Sequence, residues 1–254
     1  MKFLLNDQRV DINKEDNDRE TPFWIACEKE HIEIVKLLLN DERVININQA
    51  NKFGYPPFGN ACRKGRIEIV KLLLNDERVD VNWATYSQTP FSFACDKGHI
   101  EIVKLLLNDE RVDINKANNY GQTPLYIACE RGHIEVVGLL LNDKRIDINK
   151  ANRYGQTPLF YVCQKGDIEI VKYILANGTR VTLAGKDNRG KTVSISNIIK
   201  NQIENERFQE RKRNYGLIAE LLESFERNPN ETIAKLRVQL GFTGKNQFKL
   251  ILFN

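Results

Sequence analysis

The chain has 254 residues, 41% of them hydrophobic and 28% charged, and carries a formal net charge of +4. That composition belongs to a folded, soluble chain and excludes disordered, collagen-like and disulfide-framework classes; no apolar run reaches the ~18 residues of a membrane span. The opening MKFLLNDQRV is too short in its apolar part for a secretory leader, so a cytoplasmic address is expected, with the nucleus as the alternative. Charge is uneven: residues 179–254 hold 14 Lys and Arg against 8 Asp and Glu, whereas residues 1–178 hold 24 against 26. The basic tail reads first as a solvated helical face, with nucleic acid or an acidic surface as the alternative partner.

In chain order, the sequence starts in mid-unit. Lys2-Phe3-Leu4-Leu5-Asn6-Asp7 aligns with Lys36-Leu37-Leu38-Leu39-Asn40-Asp41, so residues 1–20 read as a half repeat, either cut from a longer array or serving as a crude cap. Full units then begin at residues 21, 56, 89, 123 and 157, each marked by a proline (Pro22, Pro57, Pro90, Pro124, Pro158) and, through the first four, by a leucine triplet. A period of about 34 residues implies stacked supersecondary units.

One unit shows the internal logic. Thr123 supplies a hydroxyl N-cap and Pro124 occupies the first helical position, where its missing N–H costs nothing. Leu125, Ala128 and Cys129 recur at helical spacing and Gly132 supplies the left-handed stop. A second helix runs from about Ile134 to Leu141 and is apolar nearly all round, as a helix buried between neighbours should be. Ile146 to Asn149 alternate apolar and polar, and Asn152 to Gln156 turn the chain back toward the next Thr-Pro, which predicts a short β-like finger. The five cysteines, Cys27, Cys62, Cys95, Cys129 and Cys163, fall once per unit at gaps of 35, 33, 34 and 34 residues. Helices stack about 8–10 Å apart and a disulfide needs Cα atoms within about 7 Å, so free core thiols and a reducing compartment are expected.

After the fifth unit a degraded one starts at Thr192 and leads into a long polar helix candidate ending near Arg213. Tyr215, Ile218, Leu221, Leu222 and Phe225 form one helical stripe, Asn228-Pro229 stops it, and Ile233, Leu236 and Leu240 make a second short amphipathic helix ended by Gly241. Residues 201–254 are expected to cap the array.

Thr-Pro-Leu, then Ala, then Gly-His, then Val-Val-x-Leu-Leu-Leu, then Asp-x-Asn resembles the ankyrin repeat. The resemblance covers roughly residues 1–200 and implies an all-α ankyrin-like solenoid of helix-turn-helix units with short β-like fingers. The histidine that the family pattern places after Thr-Pro-Leu is missing: that register holds Trp24, Gly59, Ser92, Tyr126 and Phe160. The histidine-mediated bond between neighbouring loops is therefore expected to be absent or replaced. One finger gains a residue around Asn46 to Asn48, and another loses one after Asn82.

No catalytic constellation stands out. His31, His99 and His133 share one register, and no phosphate loop, paired-histidine metal motif or nucleophile elbow occurs; no enzyme activity, metal or cofactor is expected. The resemblance implies instead a non-catalytic, monomeric module that binds a partner protein through its concave face of fingers and inner helices. Carried onto this sequence, the finger tips offer Lys52, Phe53, Tyr55, Trp83, Tyr86, Asn119, Tyr120, Arg153 and Tyr154. The ends of the first helices offer Arg63, Lys64, Asp96, Lys97, Glu130, Arg131 and Lys165. The aromatic tips are of the kind that dominates binding hot spots, or else pack on neighbouring fingers. The basic ladder Lys29, Lys64, Lys97, Arg131 and Lys165 answers equally to the helix dipole. Trp83 stands where other fingers carry Lys14, Gln49, Lys116 or Lys150, in the shortened finger; it reads as a binding anchor, or as a cover for the missing residue. A passive spacer in a longer array is the remaining alternative.

Overall fold

A computed structural model describes residues 7, 9–44, 46–85, 88–178, 181–186 and 190–242. Helix starts follow one local rule. Thr21, Thr89, Thr123 and Thr157 sit in extended backbone ahead of a proline, and their hydroxyls accept the N–H groups of Trp24, Ser92, Tyr126 and Phe160 at 3.1–3.2 Å. Each such bond satisfies one of the orphan donors of a first turn. The second repeat has Pro56 in place of the threonine, and no side chain caps its helix.

The chain divides into two compact units, residues 1–118 and 119–254. The first holds three helix pairs: α1 (Pro22–Glu28) with α2 (Ile32–Leu39), α3 (Pro57–Lys64) with α4 (Ile67–Leu74), and α5 (Pro90–Lys97) with α6 (Ile100–Leu107). The inner helices α1, α3 and α5 pack in sequence, as do the outer helices α2, α4 and α6. Its core is Phe23, Phe58 and Phe91 from the inner helices, with Val35, Val70 and Val103, then Leu38, Leu73 and Leu106, from the outer ones, all fully buried.

The second unit holds α7 (Pro124–Arg131) with α8 (Ile134–Asn142), and α9 (Pro158–Lys165) with α10 (Ile168–Asn177). There follow a two-stranded antiparallel ladder, β1 (Ala184–Lys186) with β2 (Thr192–Ser194), and three longer helices, α11 (Ile195–Asn205), α12 (Gln209–Arg227) and α13 (Pro229–Gln239). The expected polar helix up to Arg213 is two helices. The Glu206 carboxylate accepts the Phe208 N–H at 3.0 Å and the chain turns extended there; no glycine or proline announces the break. Ser194 caps α11 through the Asn197 N–H, and α11 runs straight through residue 200. Thus α11 packs on α9, and α12 and α13 pack on α10. Tyr215, Ile218, Leu222 and Phe225 are buried. The Tyr215 hydroxyl donates to the Gln164 carbonyl at 2.9 Å, and Arg237 Nε to the Ala176 carbonyl at 3.0 Å, so side chains of α12 and α13 supply donors to the carbonyl ends of α9 and α10.

The described fingers of the repeats are loops closed by short backbone bonds, Asn51 N–H to the Tyr55 carbonyl at 3.0 Å and Asn152 N–H to the Gln156 carbonyl at 2.9 Å, and by side chains. Asn51 Oδ1 accepts the N–H groups of Phe53 and Tyr55, both at 3.1 Å, and Asn152 Oδ1 those of Tyr154 and Gln156, both at 3.0 Å. A short polar side chain that satisfies two turn amides adds to those backbone bonds and fixes the tip. Extended pairing within the described fingers of the repeats is confined to the bridge between Thr85 and Gln88.

Candidate interaction surfaces

Within each compact unit two sets of bonds tie one repeat to the next, and they decide which residues are left to face outward. The first set joins finger to finger. The Lys52 N–H donates to the Asp18 carbonyl at 2.7 Å, the Arg153 N–H to the Tyr120 carbonyl at 2.8 Å, and the Lys186 N–H to the Gly155 carbonyl at 3.0 Å. In the shortened finger the Thr85 hydroxyl takes this part, donating to the Gly54 carbonyl at 2.6 Å. The packing is close enough that a Cβ on Gly121, whose φ is +75°, would sit 2.8 Å from the Arg153 nitrogen.

The second set lies on the outer loops and accounts for the Asn-Asp-x-Arg and Asp-x-Asn signatures. Asn48 donates to the Arg78 carbonyl at 2.7 Å and its Oδ1 accepts the Asp80 N–H at 2.9 Å; Asn82 does the same with Arg111 and Asp113 at 2.7 and 2.8 Å. Arg78 and Arg111 each clasp their own aspartate, Asp76 or Asp109, through two nitrogens, and donate to the last-turn carbonyl of the preceding outer helix, Leu39 or Leu74, at 2.8 and 2.7 Å. The arginine hydrogen bonds hold Asp76, Asp109 and Asp143 below the ordinary carboxylate range.

The register without histidine is filled by other donors in part. Trp24 Nε1 donates to the Tyr55 carbonyl at 2.8 Å. The buried Tyr126 hydroxyl accepts from Asn152 Nδ2 at 3.0 Å and lies 3.5 Å from Gln156 Oε1. Phe160 instead abuts Gly185 so closely that a Cβ there would lie 2.2 Å from its ring. His99, at the start of α6, places Nε2 3.1 Å from the Arg63 carbonyl oxygen.

In the first unit, Lys52 and Phe53 are exposed at the tip, Phe53 by 51%, with Lys52 Nζ 5.1 Å from the ring centroid and paired to Asp18. Tyr55 is half-buried, 5.7 Å from the Phe93 ring and beneath the Arg63 guanidinium. Lys64 and Lys97 are exposed; Asp96 is buried, 2.9 Å from Lys97 Nζ. Trp83 is 39% exposed, so most of its surface is covered. Tyr86 lies outside the described residues. In the second unit Asn119, Tyr120, Arg153 and Tyr154 are exposed at the tips, the two tyrosines by 61% and 65%. Arg131 and Lys165 are exposed at their helix ends, and Lys165 Nζ sits 5.5 Å from the Tyr161 ring centroid. Glu130 is half-buried and accepts from Gln122 at 3.3 Å. Sequence reasoning missed Tyr161, Gln122 and Asn60; Asn60 and Tyr161 stand where other repeats carry Ile25, Phe93 and Ile127, whereas Gln122 shares its register with Gln88 and Gln156 and gave no such signal.

The five cysteines are buried and free, and desolvation pushes each thiol well above its ordinary range. Among the described residues no His, Cys, Asp and Glu side chains gather as a metal site, and no helix is long and apolar enough to cross a membrane.

The model of the family described as "Ankyrin repeats (3 copies)" matches residues 1–85 and 78–152, and that described as "Ankyrin repeat" matches residues 154–182. The chain belongs to the ankyrin-repeat family. No curated protein sequence matches it. The crystal structure of EF0377, an ankyrin repeat protein, is similar at 29% identity and a TM-score of 0.66, over 79% of this chain and 96% of that one. The ankyrin repeat domain of human ASB11 shares the fold, at 24% identity and a TM-score of 0.64, over 85% of this chain and 90% of that one. Ankyrin repeats are in general protein–protein interaction modules. The family matches stop at residue 182, so β1, β2, α11, α12 and α13 lie beyond the ankyrin repeats that sequence alone detects.

Proposed function

We propose that the chain is a non-catalytic, intracellular recognition module that binds a partner protein through its finger tips and inner-helix ends, with residues 201–254 acting as a cap. One observation carries this reading. Phe53, Tyr120 and Tyr154 occupy the same register of their fingers and are each more than half exposed, on loops pinned by Asx turns or by the backbone bonds between successive tips. Large apolar side chains held in water on a rigid frame lose little entropy on docking, as binding anchors require.

The test is a comparison of the full chain with the Phe53→Ser, Tyr120→Ser, Tyr154→Ser variant, each as bait in cross-linking from its native cell type. Exposed-site changes alter stability by only about 0.5 kcal/mol each, so the variant should keep its fold and lose the cross-linked partner. Retention of the same partner at the same yield would refute the reading. Support for binding through the tail is narrower: Phe208 is 69% exposed beside the exposed Arg207, Arg211 and Lys212. It predicts a steep loss of octauridine binding with added salt.

A further inference from the structure

The residue that follows the cysteine of each inner helix reads Glu28, Arg63, Asp96, Glu130 and Gln164 in successive repeats. Arg63 is the single cation at a register that is otherwise acidic or neutral. Its guanidinium carbon lies 4.7 Å from the Tyr55 ring centroid, so the plane rests on an aromatic face. Its Nη2 donates to Asn60 Oδ1 at 2.9 Å, and Asn60 is itself buried. The Arg63 carbonyl takes the His99 contact, which fixes the helix end that carries the side chain. Tyr55 in turn leans on Phe93, and its own carbonyl holds Trp24.

What this arginine lacks is a counter-ion. Among the described residues no carboxylate lies within 4 Å of it, and its Nε–H is buried without an acceptor. The acidic residues of the neighbouring inner helices are already engaged: Glu28 with Lys29 at 3.6 Å, and Asp96 with Lys97 at 2.9 Å. Arg66, the next arginine along the chain, has its own partner in Glu30. The buried Nε is out of a partner's reach, but a guanidinium stacked on Tyr55 and steadied through Nη2 by Asn60 is preorganised to present its Nη edge to a planar, two-oxygen anion.

We propose that Arg63 is a carboxylate receptor: it takes an Asp or Glu side chain of the bound partner, with the exposed Lys64 beside it adding positive potential. This deepens the recognition function proposed above and rests on it. A carboxylate fits better than a nucleic-acid backbone because residues 1–118 hold 17 Lys and Arg against 20 Asp and Glu. One oriented guanidinium in an acidic unit suits a single short-range pair, whereas a polyphosphate needs many cations.

The experiment uses the full chain and an array of immobilised octapeptides in matched pairs, identical except for Glu replaced by Gln. Wild type should favour the Glu member of its binding pairs by about tenfold or more, as expected for a desolvated charge pair. Arg63→Gln should bring that ratio close to one. Arg63→Lys should restore only part of it, since lysine keeps the charge and loses the fork. Circular dichroism melting of all three proteins checks that the fold is kept. Equal Glu and Gln binding by wild type, an unchanged ratio in Arg63→Gln, or full restoration by Arg63→Lys would each overturn the proposal. So would octauridine displacing the peptides through Arg63, which would make the site a phosphate receptor. Loss of the Glu preference leaves the finger-tip test above untouched, so failure here is distinct from failure of the recognition reading.

Discussion

The outer and inner helices of the first unit solve the same burial problem with opposite freedom. The outer helices α2, α4 and α6 are the same octapeptide, IEIVKLLL, three times over, each with a Glu–Lys pair three residues apart at 2.9, 2.7 and 2.6 Å. The inner helices α1, α3 and α5 share only a proline-phenylalanine start and an Ala-Cys pair near the end. Between and after those fixed points they carry Trp24-Ile25 and Glu28, Gly59-Asn60 and Arg63, and Ser92-Phe93 and Asp96. Constant residues do the stacking; the residues that differ settle what each layer presents to a finger or to a partner.

That comparison can be pressed hardest through the constant positions. Leu106, fully buried on α6, changed to Ala should cost about 2–5 kcal/mol, the range for a leucine truncated in a packed core, read as a lower urea midpoint. A next, smaller effect tests the outer-loop bonds. Asn48→Ala removes one donor and one acceptor to the following repeat, at a net loss of about 1 kcal/mol because these groups are exposed enough for water to replace part of the bonding. An unchanged midpoint would mean that the ladder only orders the loops.

A variable position should behave in the opposite direction. Gly59 is a helical residue whose added Cβ would touch Pro56 at an ordinary 3.4 Å. Gly59→Ala should therefore raise stability by about 0.5–1 kcal/mol through helix propensity, measured by thermal melting. The smallest effect belongs to the aspartate–arginine clasps. Asp76, Asp109 and Asp143 titrate below their ordinary value of 3.8 when folded. The stability they lend is whole above that value and fades as pH falls through the lower folded one. The urea midpoint of wild type should thus drop from pH 4 downward more steeply than that of an Asp76→Asn, Asp109→Asn variant; parallel curves would assign the acid sensitivity to other groups.

Much of this was legible in the sequence. Thr-Pro starts, glycine stops and the leucine triplets placed ten helices, because caps and periodicity are local and recur in phase. The burial of all five cysteines followed from one residue per layer. Two things were not legible. The break at Glu206 to Phe208 depends on a carboxylate folding onto a backbone amide in a run with no glycine or proline. Strand alternation at Ile146 to Asn149 suggested extended fingers, whereas Asn51 and Asn152 close their tips with side-chain bonds. Of the binding candidates, exposure of Phe53, Tyr120 and Tyr154 could be expected from their place at the tips. The burial of Asp96 and the stacking of Arg63 on Tyr55 depend on neighbours some 8 residues or a full repeat away.

The identity of α2, α4 and α6 has a consequence for heredity. Each outer helix meets a copy of itself, so an in-frame duplication or deletion of one segment, such as residues 56–88, would bring together surfaces that already match. The gene can lengthen or shorten the array in one recombination event without inventing a new interface. Array length and tip sequence are therefore separately heritable: recombination changes the number of layers, and point mutation changes the side chains at the tips without touching the stacked helices.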